Sequence, residues 1–236
     1  MAVTAEAIYA QLAVRRILRG ILSKENVSEQ VTRKSFIRFY LPLAITPLAS
    51  LLIHPVGSAG MSRMPEALPS LAAWPVVYGL VFITRSLGFA FNEVVVALLP
   101  HPNGKLELLR FTRILAISTS AFLGVLALTP IGGYWFLYVA GLSEELAYIS
   151  SITLVFAILM PGYQAYQAWY SGLLVNKNQT NGISFAVLIY AIIAIIGLWL
   201  GTRLATFPGI YWAVNVFVFA GLSQTLYLRY SYKRIG

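Results

Sequence analysis

The 236-residue chain contains no cysteine and, among its eight acids, no aspartate. Without cysteine there is neither a disulfide framework nor a thiolate metal site. Two histidines, His54 and His101, cannot build an imidazole metal centre alone. No metal and no cofactor is therefore expected. Charge is also scarce: 11% of residues are charged against 58% hydrophobic, a balance outside that of water-soluble domains. A soluble globular enzyme is excluded, and the lipid bilayer becomes the first expected partner. The net charge of +9 would suit nucleic acid if the cations formed a polar surface, but they fall between apolar runs. They read as topology signals, and no nucleic-acid partner is expected.

What the chain does have is long apolar stretches. Six of them, residues 36–53, 71–99, 108–128, 146–175, 181–200 and 208–228, are long enough to cross about 30 Å of hydrocarbon at about 1.5 Å per residue. A membrane barrel would need short alternating strands instead, so the expected fold is all-α, a polytopic membrane protein of six transmembrane helices. Residues 132–142 (GGYWFLYVAGL) are too short to span and rich in aromatics, which predicts a helix lying at the membrane surface.

Orientation follows from the cations, since Lys and Arg in short loops stay cytoplasmic. Arg15, Arg16, Arg19, Lys24, Arg33, Lys34 and Arg38 precede the first span; Lys105, Arg110, Arg113, Lys177, Arg229, Lys233 and Arg234 fall in alternate loops and the tail. The opposite side has only Arg63 and Arg203, with Glu66, Glu144 and Glu145. Both termini are expected in the cytoplasm, as for a multi-pass protein of a bacterial inner membrane. Asn178-Gln179-Thr180 then faces the cytoplasm and reads as a polar turn, not a glycosylation site.

Residues 1–34 form an expected N-terminal segment on the cytoplasmic side, with the spanning lobe at 35–236. Residues 5–22 read as a helix with a polar stripe at Gln11, Arg15 and Arg19, either amphipathic at the membrane surface or the tail of a preceding transmembrane helix that the sequence does not contain. Residues 23–31 (SKENVSEQV) read as a linker.

The second span holds the residues with the most chemistry. Arg85 lies about 21 Å from either end of 71–99, too far for easy snorkelling. Asn92 follows on nearly the same face, rotated by about 20°, and Glu93 is rotated by about 80°. A charge at that depth must face a cavity or a partner, so Arg85 is either half of an internal ion pair, with Glu93 or with another helix, or a contact for substrate or coupling ion. In the fourth span Pro161 and Gly162 predict a kink, and Gln164, Gln167 and Ser171 share a face ringed by Tyr163, Tyr166, Trp169 and Tyr170. Interhelical hydrogen bonding competes there with ligand binding. Asn215 in the last span is read in the same way, and Pro42 and Pro47 mark a bendable first span. His54 and Ser58 in HPVGSAG raise an intramembrane Ser/His hydrolase as a remote alternative. Pro55 intervenes, no G-x-S-x-G elbow is present and no acid is placed to orient the imidazole, so no catalytic residue is assigned and the chain is not expected to be an enzyme.

The run RKSFIRFYLPLAITPLASLLIHPVGSAGMSRMPEALPSLAAWPVVYGLVFITRSLGFAFNEVVVALL resembles the opening of the second half of a transporter in the superfamily of multidrug and toxin extrusion (MATE) proteins, lipid and polysaccharide flippases and progressive-ankylosis-like proteins. The resemblance extends over nearly the whole chain in span order and loop lengths. It implies one six-helix lobe of a two-lobe secondary transporter, an efflux protein or antiporter moving a small-molecule solute by alternating access; the alternative is a flippase for a lipid-linked or anionic solute. It also implies a partner lobe, either an N-terminal half absent from this sequence or a second copy in a homodimer. The cation-binding Asp of many MATE N-terminal lobes has no counterpart here.

Overall fold

The computed structural model describes residues 55–177 and 179–235, together with Tyr9, Gln11 and Val14. The expected first span, the linker, Pro42, Pro47, His54 and Asn178 lie outside the described residues. The chain divides into two compact units, residues 1–40 and 41–236. In the first, Tyr9, Gln11 and Val14 are helical and exposed.

Among the described residues there is no strand. Residues 55–61, just after the expected end of the first span, are helical. Then come α1 (Ala67–Leu98), α2 (Gly104–Leu128), the short α3 (Pro130–Tyr134) running into a π-helical turn (Trp135–Val139), α4 (Glu144–Ala157), α5 (Leu159–Asn176), α6 (Asn181–Leu204) and α7 (Gly209–Ile235). Taking α4 and α5 together, five segments among the described residues are long and apolar enough to cross a membrane: Ala67–Leu98, Gly104–Leu128, Glu144–Asn176, Asn181–Leu204 and Gly209–Arg234. The protein is thus a multi-pass, all-helical membrane protein.

The termini of these helices have local causes. Pro100 and Pro102 follow α1 and lack the N–H needed to extend it. Thr129 leaves α2 in an extended conformation, and Pro130 opens α3 at its first turn, where a missing N–H costs nothing. Ser143 caps α4, its hydroxyl oxygen accepting from the Leu146 N–H at 3.4 Å, with Glu144 and Glu145 favourably placed at the positive end of the helix dipole. The expected kink of the fourth span falls at Ile158, between α4 and α5. Pro161 cannot donate to the Ala157 carbonyl and its ring crowds it, so the Ile158 N–H turns to Val155 O at 3.4 Å. Gly162 serves packing: a Cβ there would lie 2.7 Å from the Ser120 hydroxyl oxygen.

Residues 130–139 form a helical piece too short to span. Phe136 is fully buried while Tyr134 and Tyr138 are exposed and stacked at 5.9 Å.

The helices pack by stripes. Ser70, Ala73, Trp74, Val77, Leu80, Val81, Thr84, Gly88, Phe91 and Val95 of α1 are buried at spacings of three and four, while Ile83, Leu87 and Val94 are exposed, as a lipid-facing side would be. Gly88 meets Gln164, and Val95 meets Gly172; α1 and α5 therefore run in the same direction, as two spans separated by one return crossing must. Gly201 against Trp212, and Gly197 against Val216, make α6 and α7 an antiparallel hairpin. The 144–176 span is the most enclosed, 50% buried over its most apolar stretch, and α6 the least, at 22%. At one end of the bundle Lys105 and Lys177 lie 5.6 and 5.1 Å from the Tyr232 ring centroid, which brings the two cation-bearing loops and the basic tail together.

Candidate functional site: a polar cavity around Arg85

A cavity of about 420 Å³ lies among α1, α5, α6 and α7, with Ala157 of α4 at its wall. Arg85 enters it from α1, 18 residues after the start of the helix and 13 before its end, about 27 and 20 Å along the axis. Its Nη2 donates to Gln164 Oε1 at 2.7 Å. Its guanidinium carbon stands 5.6 Å from the Phe89 ring centroid and 5.8 Å from that of Tyr163, both within cation–π range. Its Nε–H is buried with no acceptor. A buried donor left without a partner costs about 1–3 kcal/mol, so the arginine is held in place while part of its hydrogen-bonding capacity is unused.

Amides continue the polar wall. Asn92 lines the cavity about two helical turns after Arg85, and its Oδ1 is buried without a donor. Gln167, one turn from Gln164, donates from Nε2 to Gly221 O at 3.0 Å and to Gln224 Oε1 at 3.2 Å. Ser171 and Gln224 also line the space. Toward the other end the lining turns aromatic, where Trp74 lies 5.6 Å from both Tyr78 and Phe217. Among the described residues no carboxylate and no lysine lines the cavity. The one charged side chain among its described lining residues is Arg85.

Two glycines permit this arrangement. A Cβ at Gly88 would lie 2.8 Å from Gln164 Cγ and 3.3 Å from the Ala165 backbone nitrogen, so α1 and α5 approach closely just where the arginine meets the glutamine. Gly221 similarly admits the buried Tyr163 ring, whose hydroxyl has no partner.

Compared with known proteins, the chain matches no family model, no curated protein and no solved structure. The cavity's own chemistry is therefore what bears on function.

Of the residues expected at a site, the fold brings Arg85, Asn92, Gln164 and Gln167 to one cavity. Glu93 is exposed and does not line it. The expected alternative of an Arg85–Glu93 ion pair is corrected: the partner of Arg85 is the neutral amide of Gln164, because eight residues on a helix put Glu93 about 80° round and about 12 Å along the axis. Asn215 is exposed, donates to Tyr211 O at 2.8 Å and lines a separate groove. Gln224 was not anticipated, although a signal existed. It lies nine residues after Asn215, which turns it about 180° round the helix, so only one of the two could face inward. Ser58 lies in the helical stretch 55–61, not on a strand-to-helix elbow.

Proposed function

We propose that this chain is a secondary transporter of the MATE-like type, forming one lobe of a two-lobe assembly and moving a solute by alternating access through the cavity around Arg85. The observation that supports it is a partly unsatisfied arginine at mid-span in a polar cavity with no acid among its described lining residues. A charge at that depth costs several kcal/mol unless something compensates it, and a purely structural arginine would be expected to have its donors filled. The aromatic end offers apolar surface to the body of a solute, and the amide face offers hydrogen bonds. With Arg85 and no carboxylate among the described lining residues, an anionic solute, lipid-linked or free, is favoured over a cationic one. The reconstituted chain should show saturable flux of an aromatic monocarboxylate and none of the amine with the same ring. Amine flux without carboxylate flux would overturn the anionic reading, and absence of any flux from a two-lobe assembly would overturn transport.

The orientation belongs to the same proposal. In a bacterial inner membrane both termini lie in the cytoplasm, and so do the loops carrying Lys105 and Lys177. Single cysteines are clean probes because the chain has none of its own. His101→Cys and Lys233→Cys are expected to be shielded from an impermeant thiol reagent in intact cells, and Glu145→Cys and Thr206→Cys to react. The reverse pattern would invert the topology.

A further inference from the structure

On the outer face of the α6–α7 hairpin runs an apolar groove of about 550 Å³, lined chiefly by Ile193, Ile196, Leu200, Trp212, Val216 and Phe219. Its walls are fixed from within. A Cβ at Gly197 would lie 2.7 Å from Val216 Cγ1, so the two helices touch at the floor, and the Trp212 indole N–H donates to Gly197 O at 2.8 Å. The groove lies on the least buried of the five spans, the side that faces lipid or a partner.

Two polar features break its apolar character. Asn215 is exposed in it, one N–H of Nδ2 donating to Tyr211 O at 2.8 Å, which leaves a second N–H directed outside the helix's own bonding. An amide in contact with hydrocarbon is unfavourable unless a ligand atom meets it. Arg203, exposed in the last turn of α6, follows Ile196 by seven residues and so continues its stripe, about 20° round. It makes no ion pair among the described residues; Glu66, at the same end of the bundle, does not pair with it.

The dimensions choose the occupant. From Arg203 to Ile193 is ten residues, about 15 Å of helix, which is half of the roughly 30 Å hydrocarbon core. A partner helix crossing the whole membrane would need a groove continuing to the other end, whereas this one stops at Ile193 and Phe219. A lipid in one leaflet needs this length and no more. We propose that the groove binds one anionic glycerophospholipid, its phosphate on Arg203, its ester carbonyl accepting from Asn215, and one acyl chain lying along Ile196 and Phe219.

The test is native mass spectrometry of the purified full chain, delipidated and titrated with phosphatidylglycerol or phosphatidylcholine of identical chains. One phosphatidylglycerol is expected to be retained in preference. Arg203→Gln should reduce that preference by about tenfold, the worth of one charge-assisted contact. Ile196→Trp, which fills the groove from its open side, should lose both lipids while melting in lipid-free detergent as the parent chain does. Equal retention of the two lipids, or an unchanged preference in Arg203→Gln, would overturn the proposal. A photo-crosslinking residue at position 196 that captures protein in place of lipid would overturn it as well and identify the groove as a subunit contact.

Discussion

In proteoliposomes, Arg85→Ala is expected to cut solute flux by about a hundredfold, the scale of losing one close charge contact with a bound ligand, while the protein still inserts and folds with a modest loss of stability. Two facts separate the effects. Arg85 bonds a neutral amide, so its removal strands no buried carboxylate, and the large penalty for breaking a buried ion pair does not apply. What remains is Gln164 Oε1 without its donor, a loss of about 1–3 kcal/mol. The double variant Arg85→Met with Gln164→Leu removes both partners and should recover most of that loss without recovering flux. Arg85→Lys keeps the charge but loses the forked geometry; it should retain part of the flux with a weaker apparent affinity. Flux measured beside thermal stability decides: retained flux with lost stability in Arg85→Ala would return Arg85 to a packing role.

The spans were legible in the sequence because hydrocarbon thickness imposes a length that any long apolar run must meet. All five observed segments start within four residues of the positions read from composition, and α7 runs about two turns further at its end than the apolar run because Leu228 is followed by polar and basic residues that leave the hydrocarbon without ending the helix. On α1 the shared face of Arg85 and Asn92 does line the cavity, whereas Glu93, expected beside them in the pathway, is turned about 80° away and lies outside it. What sequence could not supply was pairing between helices. Gln164 as the partner of Arg85 and Gln224 as that of Gln167 depend on which helices are neighbours. That adjacency is written in small residues such as Gly88, Gly172 and Gly221, whose meaning appears only when the opposing side chain is known. The break at Ile158 was closer to legible, since a proline disturbs the residue four before it, and reading Pro161 that way leads directly to Ala157.

The opposite signs of two glycine-to-alanine changes on one helix test that packing. Gly79→Ala in α1 adds a methyl with nothing within 4 Å and removes the conformational entropy penalty of a mid-helix glycine, so it should be neutral or stabilising by up to about 1 kcal/mol. Gly88→Ala is the same chemical change nine residues later. There the new methyl meets Gln164 Cγ at 2.8 Å and backbone atoms of Gln164 and Ala165 at 3.3 Å. The glutamine side chain can swing aside, but the backbone cannot, so α1 and α5 must separate. Overpacking of this kind costs about 1–3 kcal/mol, and the separation also pulls Gln164 from Arg85. Gly88→Ala should therefore lower both the melting temperature and the flux, and Gly88→Leu should prevent stable folding in detergent. If Gly88→Ala melted like Gly79→Ala, the close approach of α1 and α5 would be wrong, and with it the hydrogen bond that sets the geometry of the cavity.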